Sequence, residues 1–166
     1  MITAIYARNN QGIIGVNNDI PWSIKEDFEH FKEITSGGTI IMGKNTWDSL
    51  PIKPLPDRRN IIITSQPKGL WNKDAELISS LEDIPNDCFI IGGSQLYNST
   101  LDMVECIEET VIDIDLGNNI EKMSISYAPV IKKEDFELVQ ESAIYSSVDR
   151  ISHNNVKFFF RTWRRI

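Results

Sequence analysis

The sequence contains few of the residues that build metal centres or disulfide frameworks. Its 166 residues include two cysteines, Cys88 and Cys106, and two histidines, His30 and His153. The cysteines lack the spacing of a zinc site, and neither histidine has the neighbours that a catalytic triad requires. We therefore expect no bound metal, and two reduced thiols in a cytoplasmic protein.

Positive charge and long apolar runs are also scarce. Lysine and arginine number 17 against 24 acidic residues, which gives a formal net charge of -7. This balance argues against a nucleic-acid partner, although a few local cations suffice for an anionic small molecule. No apolar run reaches membrane-spanning length, and the first residues lack the layout of a signal peptide, so we expect no membrane partner. We expect a monomer that binds small molecules.

The order of apolar runs predicts an α/β fold in a single domain over residues 1–166. A chain of this length can bury a core of its own, and it contains no internal repeat or linker. Strands are predicted at residues 2–7, 39–42, 60–65, 76–78, 88–91 and 110–115, and helices at residues 80–84 and 94–104, in addition to the two described below. Because the first part alternates strands with helices, its strands should be mostly parallel. Residues 137–145 and 156–163 predict a C-terminal antiparallel β-hairpin, which completes one mixed, mostly parallel central sheet with flanking helices.

The first helical segment carries one acid on its apolar side. Ser23 followed by Glu26 is a capping-box pattern, which predicts that Ser23 is the N-cap. Apolar residues then recur at helical spacing: Ile24, Phe28, Phe31 and Ile34. At roughly 100° per residue they span an arc of about 120°, and Asp27 lies inside it. Asp27 is either a first-turn acid that favours the helix dipole, or a buried acid that faces a pocket and needs a ligand with hydrogen-bond donors.

Two strand-to-helix turns contain glycine where the helix begins. Gly43 and Lys44 follow one apolar strand, and Gly92 and Gly93 follow another. Free backbone N–H groups at such a turn favour an anion, and paired glycines let a ligand approach the backbone closely. A loop rich in glycine and asparagine, at residues 12–20, leads from the first strand toward the acid-bearing helix. Loops of this kind often cover a binding site.

Four motifs in fixed order resemble those of bacterial and phage dihydrofolate reductases. They are Gly15…Ile20-Pro21-Trp22 with Asp27-Phe28…Phe31, then Ile41-Met42-Gly43-Lys44-Asn45-Thr46-Trp47, then Pro54-Leu55-Pro56-Asp57-Arg58-Arg59-Asn60, then Ile90-Ile91-Gly92-Gly93. The similarity covers residues 2–115 and is followed by a compatible hairpin. It implies NADPH-dependent reduction of 7,8-dihydrofolate to 5,6,7,8-tetrahydrofolate, by hydride transfer to the pteridine ring and protonation of the adjacent ring nitrogen. Such an enzyme supports one-carbon metabolism and thymidylate synthesis and is an antifolate target.

The resemblance also implies which residues contact the substrate. Asp27 is the acid that accepts from the ring amide and 2-amino group of the pterin, and a dry pocket should raise its pKa. Trp22 lies near the mobile loop that admits the water carrying the proton. Arg58 binds the glutamate carboxylate of folate, for which a planar bidentate donor is suited, whereas Arg59 is expected to be solvated. The implied substrate contacts are Ile5, Ala7, Asp27, Phe28, Phe31, Leu50, Leu55, Arg58, Ile91 and Tyr97.

The cofactor contacts implied by the resemblance lie in the loop and at the two glycine turns. They are Ala7, Ile14, Gly15, Asn18, Gly43, Lys44, Asn45, Thr46, Ser49, Thr64, Ser65, Gln66, Ile91, Gly92, Gly93, Ser94, Gln95 and Leu96. Within this set, Thr64, Ser65 and Gln66 would line the adenosine 2′-phosphate together with Lys44. That arrangement favours NADPH over NADH.

The sequence departs from the family pattern at three places. Many relatives carry a threonine in a Thr-x-Ile-Asp strand whose hydroxyl supports the active-site acid, and the best register puts Ile112 there. Thr110 lies two residues earlier on the same strand face, so a shifted pairing could restore the hydroxyl; otherwise water or a backbone group must support Asp27. Gln95 stands where an arginine often meets cofactor phosphate, and Asp57 where glycine is common.

Two other functions remain open from the residues. A pyrimidine-type reductase of riboflavin synthesis would share the fold and the cofactor, although Asp27 and Arg58 fit folate better. A non-catalytic cofactor- or folate-binding protein, as in a virus particle, would need neither the acid nor both glycine turns. Consumption of NADPH in the presence of dihydrofolate distinguishes these possibilities.

Overall fold

A computed structural model describes residues 1–117 and 119–166, and a central sheet organises most of them. The strands are β1 (Ile2–Asn9), β2 (Ile13–Val16), β3 (Thr39–Gly43), β4 (Arg59–Ile63), β5 (Glu76–Ile78), β6 (Cys88–Ile90), β7 (Cys106–Asp113), β8 (Ile125–Tyr127), β9 (Phe136–Glu141), β10 (Tyr145–Val148) and β11 (Asn155–Arg165). The α-helices are α1 (Lys25–Thr35), α2 (Lys44–Ser49) and α3 (Ser94–Thr100). Short 3₁₀ turns occupy Leu70–Asn72, Leu81–Asp83, Leu101–Met103 and Asn119–Lys122.

The large sheet has the order β10-β11-β7-β1-β6-β3-β4-β5, with β9 paired to the far end of β11. Strands β7, β1, β6, β3, β4 and β5 run parallel, and β11 is antiparallel to β7, β9 and β10. The prediction of a mixed, mostly parallel sheet that ends in an antiparallel hairpin is therefore confirmed. β-branched and apolar residues fill the central strands because both faces of these strands are covered; Ile40, Ile41 and Met42 of β3 are fully buried.

The topology brings three strand ends together. From β1 the chain crosses to β3 and moves outward through β4 and β5, then returns to insert β6 between β1 and β3. Ile90 of β6 is in register with Ala4 of β1 on one side and with Ile41 of β3 on the other. In open α/β sheets such a change of direction leaves a crevice at the carboxyl ends of the strands, where ligands bind. Both glycine turns lie at this edge.

The start of α1 differs from the sequence prediction. The helix begins at Lys25 with Ile24 as N-cap and no side-chain cap, so the prediction of a Ser23 capping box is wrong. The backbone of Ser23 is instead bound by the β10–β11 turn: its N–H donates to Asp149 Oδ1 at 2.8 Å, and its carbonyl accepts from Arg150 N at 2.9 Å. A turn more than a hundred residues away therefore fixes the entry to the helix, which no local pattern encodes.

Part of the predicted 12–20 loop is a strand. Residues Ile13–Val16 form β2, which pairs antiparallel with β8 in a separate two-stranded sheet. The predicted strand at 137–145 is interrupted and forms β9 and β10, where Ser142 exchanges hydrogen bonds with the backbone of Phe160. The predicted helix at 94–104 ends at Thr100 and continues as a 3₁₀ turn. Throughout the described ranges, no helix has the length and apolar character that crossing a membrane requires.

Candidate active site

Asp27 lies in the first turn of α1, above the strand pair β1–β7. Its side chain is partly buried, and burial raises the pKa of Asp27 from 3.8 to about 6, while a hydrogen bond from the Thr110 hydroxyl opposes that rise. Thr110 is buried and stands opposite Ala7 in the parallel register of β1 and β7. Within the described residues no lysine or arginine pairs with the Asp27 carboxylate. The result is an acid that can be protonated near neutral pH and still has acceptor positions for a ligand.

Thr110 is therefore the hydroxyl that lies against the acid. The sequence register that put Ile112 in this place is wrong, because Ile112 is fully buried in an apolar cluster with Trp22, Ile24 and Phe158. Thr110 and Ile112 point to the same face of β7, as residues two apart in a strand do. The hydroxyl reaches Asp27 and the isoleucine packs beside it.

Trp22 brings an unpaired donor to the same region. Its indole is buried, and Nε1 has no hydrogen-bond partner among the residues that the structure describes. A buried donor without a partner costs roughly 1–3 kcal/mol, so such groups are usually satisfied by an ordered water or a ligand. The Trp22 N–H is therefore a donor that a water or a ligand could satisfy, and its expected role stays a prediction.

The apolar side of α1 is largely uncovered. Phe28 is 47% exposed, Phe31 and Ile34 are partly buried, and Thr35 is the residue of α1 that is buried. On most helices of a globular domain this stripe would be packed into the core. An open aromatic face next to Asp27 favours a planar ligand, and these residues stay predicted contacts of the substrate.

His30 and Phe160 form a contact beside the acid that the sequence did not indicate. Their rings stack with centroids 3.8 Å apart, and burial lowers the pKa of His30. Phe160 of β11 is the register partner of Thr110. Because β11 lies far along the chain, no sequence signal connected it with α1.

The two adjacent arginines have different surroundings. Arg58 lies with its guanidinium 5.8 Å from the Phe31 ring and donates to Pro56 O and Thr35 Oγ1, which fixes it at the end of the aromatic face. Burial lowers the pKa of Arg58. Arg59 instead forms a bidentate ion pair with Glu76 on the surface, with N–O distances of 2.6 and 2.9 Å. Only Arg58 is oriented to bind an anion at this end.

Asp57 adopts a left-handed backbone conformation, with φ of 61°. Glycine is favoured at such positions because any side chain is strained there. This preference explains why glycine is common at the position of Asp57 in the family pattern. Asp57 offsets the strain through its own contacts: its Oδ2 accepts from Ser36 Oγ at 2.6 Å, and its carbonyl accepts from Gly37 N at 2.8 Å.

The two glycine turns are joined directly. Gly43 N donates to Gly92 O at 2.8 Å, and Ile91 N donates to Ile41 O at 2.9 Å. Gly92 has φ of 125°, and a Cβ built there would lie 3.3 Å from Thr46 Oγ1. The Gly92–Gly93 peptide is cis. Bare backbone is thus presented at the carboxyl edge of β3 and β6, and this cradle, which a side chain would fill, fits the pyrophosphate of a dinucleotide.

The remaining predicted residues have separate positions. Tyr97 is buried, and its hydroxyl donates to Ile5 O at 2.7 Å across β1. Leu96 is part of the main core, so a cofactor could reach only its backbone. The Ser94 hydroxyl donates to Tyr127 O, and the Ser49 hydroxyl donates to Thr46 O at the far end of α2. Other predicted side chains are partly buried: Ala7, Ile14, Lys44, Thr46, Leu50, Leu55, Thr64, Ile91 and Gly93. Asn18, Asn45, Ser65, Gln66 and Gln95 are exposed, and Gly15 is buried in β2.

A second polar cluster occupies the opposite face of the sheet. The buried Glu109 carboxylate accepts from Tyr6 Oη at 3.0 Å, Arg8 Nε at 2.8 Å and Trp163 Nε1 at 3.3 Å. It borders a cavity of about 500 Å³ that contains none of the predicted site residues. Because this carboxylate is fully satisfied by its neighbours, we assign it to structure.

Lys44 follows Gly43 and lies beside the end of β4. Gly43 is in register with Ile63, so Lys44 and Thr64 leave adjacent strands together. The Lys44 ammonium is 2.7 Å from Asp48 Oδ2 and 5.3 Å from the centroid of the Trp71 ring. In the described part of the chain, no three His, Cys, Asp or Glu side chains form a group that could hold a metal ion. Cys88 and Cys106 are buried and unbridged.

Comparisons with known proteins agree with this geometry. A family model described as dihydrofolate reductase matches residues 1–165. The chain is 42% identical over 120 residues to dihydrofolate reductase of Mycobacterium tuberculosis (strain ATCC 25618 / H37Rv), covering 70% of this chain and 74% of that protein. It is 44% identical over 103 residues to dihydrofolate reductase of Bacillus subtilis (strain 168), covering 58% and 60%. A solved structure of dihydrofolate reductase from Enterococcus faecalis, complexed with NADP(H) and RAB-propyl, superposes with a TM-score of 0.78 at 25% identity, covering 99% of this chain and 96% of that one.

Proposed function

Because the chain belongs to the dihydrofolate reductase family, we propose that Asp27 and the adjoining glycine turns carry the reduction of 7,8-dihydrofolate to 5,6,7,8-tetrahydrofolate. The protein is an oxidoreductase that uses NADPH, and its family binds dihydrofolate and antifolates. The observation that supports the assignment of Asp27 best is its raised pKa, of about 6, beside an open aromatic face.

The cofactor would lie along the carboxyl edge of β3 and β6. The first backbone N–H groups of α2, after Gly43, and of α3, after Gly93, would hold its pyrophosphate, and Lys44 would contact the 2′-phosphate. When bound, NADPH supplies the hydride. Ala7 and Ile91 would pack against the nicotinamide end, since Ala7 lies near the end of β1 and Ile91 directly follows β6.

Asp27 would bind and orient the pterin. The ring amide and the 2-amino group of the pterin are two donors that match the two oxygens of a carboxylate. Ionised Asp27 gains both hydrogen bonds on binding, which offsets the cost of keeping its charge partly buried. Thr110 would hold the carboxylate in the orientation that this pairing requires. Asp27 is thus an anchor whose negative charge also stabilises the ring as it gains a proton.

The proton would come from a water that the Trp22 N–H holds near the ring. Asp27 need not transfer the proton itself, because its carboxylate oxygens are engaged by the pterin. The unpartnered Trp22 Nε1 supports this arrangement, since a water there would satisfy a donor that is otherwise buried without an acceptor.

The rest of folate would extend along the uncovered side of α1. Phe28, Phe31, Leu50 and Leu55 would pack against the pterin and the aminobenzoyl ring, and Arg58 would bind the glutamate carboxylate. The guanidinium of Arg58 is already oriented by Phe31 and Thr35, so little conformational entropy is lost on binding.

Oligomeric state and location complete the proposal. We infer that the enzyme acts as a monomer in the cytoplasm, without a nucleic-acid or membrane partner. The net charge of -7 and the two buried thiols support this inference. Sedimentation of the purified protein at one-chain mass would agree with it, and a concentration-dependent dimer would contradict it.

One assay tests the function. Loss of absorbance at the NADPH band is followed after addition of dihydrofolate to the folded protein. Turnover that requires both compounds is expected. Absence of turnover would overturn the enzymatic role and leave the non-catalytic alternative, whereas turnover with a pyrimidine substrate but not with dihydrofolate would favour the riboflavin-pathway alternative.

A further inference from the structure

Trp71 lies outside the motifs that define the family resemblance, and it contacts the Lys44 ammonium. We propose that Trp71 is a specificity-determining residue: its ring positions Lys44 for the 2′-phosphate that distinguishes NADPH from NADH. This inference rests on the proposed cofactor site, but not on the role of Asp27. It adds a residue that would act through Lys44 rather than touch the cofactor itself.

The position of Lys44 depends on two neighbours. Its Nζ lies 5.3 Å from the Trp71 ring centroid, within the range of a cation–π interaction, and 2.7 Å from Asp48 Oδ2. Lysine has a flexible four-carbon side chain, so an unassisted ammonium samples many positions. Asp48 alone would hold the ammonium by a carboxylate that repels phosphate. The Trp71 face attracts the cation without adding a negative charge.

The Trp71 ring is itself fixed by its loop. The indole Nε1 of Trp71 donates to Pro67 O at 2.9 Å, and the backbone carbonyl of Trp71 accepts from Trp47 Nε1 at 2.8 Å. A Cβ on Gly69 would lie 3.2 Å from Trp71 Cδ1, so the loop closes tightly over the ring edge. The ring also packs against the buried cluster that contains Trp47. A fixed aromatic surface of this kind reduces the side-chain entropy that Lys44 loses when it binds an anion.

The location of this contact links it to the 2′-phosphate. Lys44 and Thr64 leave the adjacent strands β3 and β4 side by side, and the Trp71 loop begins directly after Ser65 and Gln66. The ammonium held by Trp71 therefore lies on the same edge as the hydroxyls of Thr64 and Ser65. If Trp71 only packed the loop, its replacement would weaken the binding of NADPH and of NADH alike. A loss confined to NADPH would instead involve the 2′-phosphate, because that phosphate is the one group by which the two cofactors differ.

The test compares nucleotides that differ by that phosphate. Titration calorimetry measures binding of adenosine 2′,5′-bisphosphate and adenosine 5′-monophosphate, and kinetics give kcat/KM for NADPH and NADH with dihydrofolate. We expect Trp71→Leu to lower the preference for the 2′-phosphorylated ligand about two- to fivefold, the range of an exposed cation–π interaction. Trp71→Phe, which retains a ring face, should retain most of the preference. Lys73→Met removes an exposed lysine of the same loop and serves as the matched control.

A double-mutant cycle isolates the action through Lys44. Lys44→Met should lower the preference at least about tenfold, and adding Trp71→Leu to it should change the preference no further. If Trp71→Leu lost affinity equally for the two nucleotides and had a lowered thermal midpoint, the residue would be assigned to loop structure and the proposal would be overturned. The proposal would also be overturned if Trp71→Leu lowered the preference for the 2′-phosphorylated ligand as much in the Lys44→Met background as in the parent. Parent protein that binds neither nucleotide would overturn the cofactor site together with this inference, whereas unchanged preference in an active Trp71→Leu enzyme refutes the inference alone.

Discussion

The Asp27→Asn variant should be more stable than the parent in the absence of ligand, and the gain should depend on pH. Burial raises the pKa of Asp27 from 3.8 to about 6, so the folded protein holds this proton more tightly than the unfolded chain. The native state is therefore penalised when the carboxyl ionises. An amide of nearly the same shape carries no such penalty.

The size of the gain follows from the shift. A difference of about 2 pKa units corresponds to at most about 3 kcal/mol. Because the side chain is only partly buried, solvent screening reduces this to about 1–2 kcal/mol of added unfolding free energy above pH 6, or about 2–8 °C in the thermal midpoint. Below pH 3.8 the parent carboxyl is neutral in both states, and the advantage should disappear.

Unfolding of both proteins in urea at pH 4, 5.5 and 7.5 measures this directly. Asp102→Asn, at an exposed acid, is the matched control, and its stability should stay within about 0.5 kcal/mol of the parent at each pH. An Asp27→Asn variant that is no more stable than the parent at pH 7.5, or that gains equally at pH 4 and 7.5, would show that burial of the ionised carboxyl does not destabilise the native state.

Three further changes have defined outcomes. Thr110→Val removes the donor that lowers the pKa of Asp27, so the pH at which dihydrofolate binding changes should move upward by about half a unit to one unit in a binding titration; an unchanged midpoint would remove Thr110 from this role. Arg58→Leu should raise the KM for dihydrofolate roughly tenfold to a hundredfold with little effect on NADPH, whereas Arg59→Leu should change neither, because Arg59 is paired with Glu76; equal effects of the two variants in steady-state kinetics would contradict the assignment. Asp149→Ala removes a buried carboxylate that accepts four hydrogen bonds, so the free energy of unfolding in urea should fall by about 2–4 kcal/mol. A decrease below about 0.5 kcal/mol would show that other contacts hold the start of α1.

The features that sequence predicted well are those encoded by neighbouring residues. The parallel strands follow from short apolar runs, and the glycine turns follow from the need for bare backbone where a strand passes into a helix. Family position distinguished Arg58 from Arg59, and in the structure Arg59 is paired with Glu76 on the surface whereas Arg58 lies against Phe31. Asp27 could be singled out because its helical neighbours on both sides are apolar.

The features that sequence missed depend on contacts between distant segments. Ser23 has the chemistry of a cap, but its backbone is bound by Asp149, and the helix starts two residues later. β2 exists only because β8 pairs with it across about a hundred residues. Ile112 was placed at the threonine position of relatives, two residues beyond Thr110, because strand periodicity puts both residues on the same face. Only the pairing of Thr110 with Ala7 distinguishes the two registers.

Asp27 is proposed to serve the substrate and not the cofactor. The most direct measurement is the pre-steady-state rate of dihydrofolate reduction at pH 7, together with the Kd for NADPH, in the parent and in Asp27→Asn. We expect a rate lower by roughly a hundredfold or more in Asp27→Asn, with NADPH affinity within about twofold of the parent. Equal reduction rates, or a loss explained by weaker NADPH binding, would contradict it.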